Sequence, residues 1–214
     1  MRTKIDEIIK LADHFFKVAK SKKSPDKSDD VDNILADIEK LDTFAARKKL
    51  AEKNFKRLSS GSSRIVYKLN DRFVIKLAKN KKGIAQNKTE SNPDMKSKYI
   101  NKVVETGKKY LWIKTFYLDK ITEKDFEELT DVNFKDFGNA ISYGLREISS
   151  DESKKPGCFD DVRKTKVYKE FDRLGKKFKL LPGDISRISS WGKSGDNVIL
   201  IDSGLSRKVF DKYY

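Results

Sequence analysis

The sequence predicts an α+β fold in which an antiparallel sheet and a helical part are segregated along the chain. Three observations lead there. Apolar residues recur at helical spacing through the front third, short alternating runs joined by tight turns fill the middle, and helical spacing returns before a last hairpin.

Taken in order, Ile5, Ile8, Ile9, Phe15, Phe16 and Ala19 place an amphipathic helix over about residues 4–20. His14 lies in it with no partner residues around it, so it reads as packing or surface. Lys, Ser, Asp and Pro25 make Ser21 to Asp30 a solvated linker. Val31, Ile34, Leu35, Ile38 and Leu41 mark a second helix, and a third runs from about Thr43 to Leu58.

At Leu58 the period changes. Arg64 to Leu69 and Arg72 to Leu77 alternate on either side of Asn70-Asp71, a hairpin signal. The polar stretch Lys82 to Asp94 holds a short helix with a break near Pro93, and a second hairpin turns at Thr106 to Lys109. Thr122 to Asp125 resembles a capping box continued by Phe126 and Leu129, and a longer helix covers about Asn133 to Ile148. Ser149 to Pro156 is an exposed loop, and Val167, Phe171, Leu174 and Phe178 restore helical spacing. Finally Ser190 to Lys193 and Val198 to Ile201 form a hairpin that runs directly into Asp202-Ser203-Gly204.

The 214 residues suffice for a sizeable core without staples, and 13 Phe, 8 Tyr and 2 Trp exclude wholesale disorder despite 38% charged residues. One cysteine, Cys158, and one histidine exclude a disulfide framework and a Cys/His zinc site. Cys158 reads as a free structural thiol. No apolar run approaches the ~20 residues of a membrane span, and the amino end lacks the apolar stretch of a signal peptide. The expected location is therefore cytoplasmic. The +15 charge attracts nucleotides, nucleic acid or an acidic protein. Its lysines and arginines cluster at Lys20 to Lys27, Arg47 to Arg57 and Lys79 to Lys82, and a solvated surface is the plainer explanation of them. Gly192-Lys193-Ser194 imitates the end of a phosphate-binding P-loop, but that motif needs a glycine where Arg187 stands.

Four features carry the chemistry. Leu58 to Tyr67 contains a small-residue turn, Ser59-Ser60-Gly61-Ser62-Ser63, where bare backbone N–H groups could approach phosphate. Phe73-Val74-Ile75-Lys76 sets a lysine in an apolar strand, where it needs an anion. Glu90 on the next helical segment is a candidate partner. Gly183-Asp184 opens a loop, and Asp202 ends an apolar strand before a glycine turn, so the two acids converge at one end of the last hairpin. Asp202 in that setting suits a Mg²⁺ ligand.

This order resembles the protein kinase family: glycine-rich loop, strand lysine, helix glutamate, catalytic-loop aspartate and metal-binding aspartate, over about Leu58 to Leu205. The loop pattern keeps Leu58, Gly61, Val66 and Tyr67, V-A-I-K falls on Phe73 to Lys76, and D-F-G falls on Asp202-Ser203-Gly204. The phrase Leu118 to Thr130 is similar to the small kinase-like proteins of bacteriophages. The resemblance implies a bilobal protein kinase-like fold with an antiparallel N-lobe sheet, a minimal helical C-lobe and an N-terminal helical extension. Its divisions fall at 1–57, 58–118 and 119–214.

By the same resemblance, Ser60, Gly61, Ser62 and Val66 would cover ATP, and Tyr117 and Leu118 would meet the adenine. Lys76, paired with Glu90, would hold the α/β-phosphates, Asp202 would bind Mg²⁺ with Ser189 at the second metal position, and Asp184 would orient or deprotonate a protein hydroxyl.

The departures point to an alternative. Ser59 and Arg64 replace two loop glycines, Pro182-Gly183-Asp184 lacks the usual His-Arg, and Ser189 replaces a metal-binding Asn. The sequence stops ten residues after Gly204, before the family's substrate-docking helices. The alternative is a pseudokinase acting as a basic binding or structural module, in a phage particle or on nucleic acid, located in the host cytoplasm or virion.

Overall fold

The computed structural model describes residues 27–146 and 152–214. The helix expected over residues 4–20, with His14, lies outside the described residues, as does most of the expected linker. Helix α1 (Lys27–Lys40) already begins inside that linker. Helix α2 (Phe44–Asn54) starts where the Thr43 hydroxyl accepts a hydrogen bond from the Ala46 N–H.

The third helical stretch ends at Asn54 rather than Leu58, because Phe55 turns to extended backbone and is buried. The next five residues are already a strand, β1 (Lys56–Ser60). It pairs with β2 (Arg64–Lys68), which forms a hairpin with β3 (Phe73–Ala78) around Asn70-Asp71 as the turn residues predict. Helix α3 (Lys81–Glu90) follows, then β4 (Val103–Thr106) and β5 (Trp112–Phe116). The five strands form one antiparallel sheet in the order β1-β2-β3-β5-β4, with β3 at its centre. Every residue of β1 is exposed, and its Lys56 and Arg57 make that edge a poor template for a further strand.

Alternation gives the sheet two different faces. Ile65, Tyr67, Ile75, Leu77 and Trp112 point to one side, where Leu35 and Ile38 of α1 and Ala51 and Phe55 cover them in a common core. Residues 27–55 therefore share the sheet's core. Polar ties hold them there: Lys114 bonds Asp32 and Glu105, and Glu39 accepts the Lys108 N–H at 2.8 Å. The opposite face carries Arg64, Val66 and Lys76, since Val66 pairs with Lys76 and Arg64 with Ala78. Helix α3 packs there at close quarters. A Cβ on its Gly83 would run into the Ser63 carbonyl and the Cα of Ala78.

The second core belongs to the carboxyl-terminal part. A short strand β6 (Asp119–Lys120) joins the hairpin β7 (Trp191–Ser194) and β8 (Asn197–Leu200) in a three-stranded sheet. Helices α4 (Glu123–Thr130), α5 (Phe134–Gly144), α6 (Phe159–Val162), α7 (Lys166–Phe178), α8 (Pro182–Ile185) and α9 (Arg207–Tyr213) complete it. The predicted capping box is present: Thr122 accepts from the Asp125 N–H, and Asp125 accepts from the Thr122 N–H. Phe126, Phe137, Phe171 and Trp191 meet at the centre, with Phe171 and Trp191 at 5.0 Å and Phe126 and Trp191 at 5.1 Å between ring centroids.

Helix α5 stops at Gly144, short of Ile148, as the chain tightens through an Arg146 N–H to Tyr143 carbonyl bond. Within the expected loop at Ser149 to Pro156, of which residues 152–156 are described, Glu152–Lys154 form a turn of 3₁₀ helix. Gly183-Asp184 lies in helix α8, not a loop, because Pro182 at its start is pre-set for helix. Among the described residues, no helix is long and apolar enough to cross a membrane.

The shared core makes a prediction. Ile38 is fully buried between α1 and the sheet, so Ile38→Ala should destabilise the protein by about 2–5 kcal/mol. Urea denaturation followed by tryptophan fluorescence reads this directly, through Trp112 in that core. A loss confined to a local transition, with the sheet melting unchanged, would mean that the helices do not support it.

Candidate functional site

Lys76 sits at the middle of the central strand, between Val66 on β2 and Ile113 on β5. An ammonium so placed is only 2% exposed, and it is stable there because acceptors are waiting for it. Its Nζ donates to Glu90 Oε2 and to the Ile201 carbonyl, both at 2.6 Å. Glu90 ends α3, which Gly83 allows to lie against the sheet. The structure thus pairs the strand lysine with the helix carboxylate anticipated for it.

Arg64 is the residue that sequence reasoning missed. In the loop pattern it stands only as a replaced glycine, yet its guanidinium is buried on the same sheet face as Lys76. One nitrogen, Nη1, donates to Glu90 Oε1 at 2.6 Å and to Asn87 Oδ1 at 3.2 Å. The other, Nη2, donates to Asp202 Oδ1 from across the cleft. Asn87 is fixed by its amide, which donates to the carbonyls of Lys76 and Tyr110. The register of the β2–β3 hairpin carried the signal: two residues from Val66, opposite Ala78, Arg64 has to share a face with Lys76.

Asp202 follows β8 and reaches this cluster from the second core. The Ile201 N–H bonds the Ser190 carbonyl at 2.7 Å, which anchors the end of the hairpin. Gly204, two residues on, has no room for a side chain: a Cβ would meet Glu90 Oε1 and the Gln86 carbonyl. Two cations, Arg64 and Lys76, therefore face two carboxylates, Glu90 and Asp202. Arg64, Lys76 and Glu90 are buried and Asp202 is half-buried, so removing one of the first three leaves its partners uncompensated, at a cost of about 3–5 kcal/mol.

The electrostatics follow from this balance. Burial alone would raise the Asp202 carboxyl, but the charges of Arg64 and Lys76 outweigh it and hold the group below the usual carboxylate range. Burial would likewise lower the Arg64 guanidinium, and Asp202 and Glu90 reverse that. Asp184, in the first turn of α8, behaves oppositely. Burial first, and the charge of Asp202 second, push its carboxyl up, against weaker opposition from Arg187 and Arg64. A carboxylate with raised proton affinity near a second, firmly ionised one suits a general base beside an electrostatic anchor.

The remaining expected residues fall around this cluster. The Ser60-Gly61-Ser62 turn closes with the Gly61 N–H on the Arg64 carbonyl at 2.9 Å. It is tied to the start of α3: Lys79 donates to Ser60 Oγ and the Gly61 carbonyl, and Lys82 to Ser62 Oγ. Behind the turn, Ser63 donates to Gln86 at 2.5 Å. Some of the basic surplus is thus internal to the fold. Val66 is half-buried on the Lys76 face. Tyr117 and Leu118, both half-buried, connect the two sheets, and the Tyr117 ring lies under Lys68 at 4.7 Å.

Ser189 lies exposed in a turn of 3₁₀ helix before β7, and its neighbour Ser190 is buried. Cys158 is half-buried, its thiol pushed up by burial and by Asp136, as expected of an inert thiol.

Among the described residues no cluster of three or more His, Cys, Asp or Glu could enclose a metal ion. Asp202, with 47% of its side chain open to solvent, is the carboxylate of this cluster that would take a hard cation whose other ligands come from phosphate and water. The second metal position does not fit, since an exposed serine offers a poor donor there.

No family model and no curated protein matches the chain. Among solved structures, the streptomycin-ATP-APH(2")-IIa ternary complex aligns with a TM-score of 0.36 at 16% identity, over 77% of this chain and 71% of that one. An overlap that loose carries no argument about function, and the site's own geometry has to do so.

The two aspartates should respond to pH with opposite sign. The lowered Asp202 stabilises the fold above the ordinary carboxylate pKa of about 4 and loses that contribution as pH falls below it. The raised Asp184 favours the fold when protonated and loses its contribution as pH rises through its shifted value. At neutral pH Asp184→Asn should therefore raise the melting temperature, by roughly 2–4 °C if the relief is about 1 kcal/mol. Asp202→Asn should lower it and flatten the acid limb of the stability profile. Thermal melts from pH 3 to 8 decide this (~5 units spanning the carboxylate range), and equal shifts in the same direction would refute the assignment.

Proposed function

We propose that this chain is a protein kinase-like phosphotransferase that transfers the γ-phosphate of ATP to a protein hydroxyl. The observation that carries this reading is the Lys76–Glu90 pair at the centre of the sheet, with Asp202 facing it from the end of the second-core hairpin. Phosphoryl transfer needs little covalent chemistry from a protein. It needs cations that hold phosphate oxygens and a group that receives the acceptor's proton.

In this reading Lys76, oriented by Glu90, binds the α/β-phosphates. The sheet face around Val66, with Leu118 and Tyr117, receives the base. Asp184 takes the proton from the acceptor hydroxyl as the hydroxyl oxygen bonds to the γ-phosphorus, the bond from that phosphorus to the β,γ-bridging oxygen breaks and ADP leaves; the raised proton affinity of Asp184 favours the step. Asp202 is the residue that would hold Mg²⁺, which would supply charge neutralisation on the phosphates. The narrower likeness to phage kinase-like proteins rests on Leu118 to Thr130, which folds into β6 and the capped helix α4.

The test is radiolabelled transfer from γ-labelled ATP to the chain itself and to a protein mixture. Lys76→Met should lose nucleotide binding by about tenfold or more. Asp184→Asn should keep nucleotide affinity while losing transfer by about 10²-fold or more. Undiminished transfer in both variants would sink the residue assignments.

A second reading is a non-catalytic basic module. It is favoured by Arg64 on Asp202 and by the tying of the Ser60–Ser62 turn to Lys79 and Lys82. In that case ATP and Mg²⁺, alone or together, give no thermal shift, whereas nucleic acid binds with a steep salt dependence.

A further inference from the structure

We propose that Arg64 is a built-in cation that takes the place of a divalent metal at Asp202, so that this chain binds a nucleoside polyphosphate without requiring metal. This deepens the phosphotransferase reading and rests on it.

Two carboxylates from different parts of the fold, the buried Glu90 and the half-buried Asp202, are brought together at one cluster, and two like charges that close need a cation between them. Arg64 is that cation. Its fork divides between them, Nη1 to Glu90 and Nη2 to Asp202, so a single side chain bridges the two acids as a divalent ion would. Its charge is permanent, since the paired carboxylates hold the proton more firmly still. Its position is fixed by strand β2 and by Asn87, which accepts from the same nitrogen.

The site also lacks what a second metal would need. Ser189 is exposed, and among the described residues there is no enclosing cluster of three or more acidic or His/Cys ligands. Asp202 has one oxygen on Arg64 and 47% of its side chain open to solvent, whereas the Arg64 side chain is only 6% exposed, so the carboxylate faces the cleft with its charge matched from behind. A polyphosphate arriving there meets an Asp202 whose charge Arg64 already balances, so it needs no metal to screen that carboxylate. A metal ion arriving alone meets a carboxylate that Arg64 already neutralises. Metal and Arg64 therefore compete for Asp202, and polyphosphate binding does not wait for the metal.

The experiment measures ATP affinity by calorimetry with excess EDTA and with excess Mg²⁺, for the full chain and for Arg64→Lys and Arg64→Gln. In the parent chain the two affinities should agree within about threefold, and Arg64→Lys should behave similarly. Arg64→Gln should lose about tenfold or more in EDTA and regain most of that in Mg²⁺. Mn²⁺ alone, followed by electron paramagnetic resonance, should be bound by Arg64→Gln and not by the parent.

A merely structural Arg64 would weaken binding equally in both conditions, and that result overturns the proposal. So does a parent chain that needs Mg²⁺ by tenfold or more (about 1.4 kcal/mol), even if Arg64→Gln fails to fold, and this outcome leaves the phosphotransferase reading standing. No ATP binding by the parent in either condition overturns both.

Discussion

The charge cluster of buried Arg64, Lys76 and Glu90 with half-buried Asp202 is the constraint on which the rest of the structure depends. A charged group inside a protein is tolerable only with a partner in hydrogen-bonding contact. Here each charge comes from a different element: strand β2, strand β3, the end of helix α3 and the turn after β8. The three buried members, Arg64, Lys76 and Glu90, depend on one another for their partners. The cluster consequently dictates how closely α3 approaches the sheet, where the second-core hairpin ends, and how the two cores are joined.

Small residues make that convergence possible. Gly83 lets α3 sit against the backbone of Ser63 and Ala78, and Gly204 lets the chain after Asp202 pass beside Glu90 and Gln86. The opposite side of the same sheet is apolar, and α1 and α2 cover it. Because strand side chains alternate, this covering and the placement of Arg64 and Lys76 are consequences of one register. A slip of one residue in β2 would bury its charges among Leu35 and Ile38 and expose Ile65 and Tyr67 to the cleft.

Much of the fold was legible in the sequence. The Asn70-Asp71 hairpin, the capping box at Thr122 and the amphipathic spacing through α7 are local signals, written in neighbouring residues, and they appear as read. Boundaries set by distant contacts were not. Helix α2 ends at Asn54 because Phe55 is drawn into the core, a pull that no neighbouring residue advertises. Asp184 was read as a loop residue from Gly183, although Pro182 before it favours a helical start. The Lys76–Glu90 pair was anticipated from the need of a strand lysine for an anion. In the sequence Arg64 is only a departure from a glycine pattern, and its role is visible only once strand register and Asp202 are placed together.

The sequence by itself determined the α+β layout, the apolar face of the sheet and the need of Lys76 for an acid, because alternation, spacing and turn chemistry act over a few residues. Only the tertiary structure decided which charges meet. Arg64 and Asp202 lie 138 residues apart, and no local rule ranks one distant partner over another. Their contact is selected by the packing of two separate cores against each other. The basic surplus shows the same division: its size is a property of composition, while the burial of Arg64 and the use of Lys79 and Lys82 to fasten a turn belong to the fold.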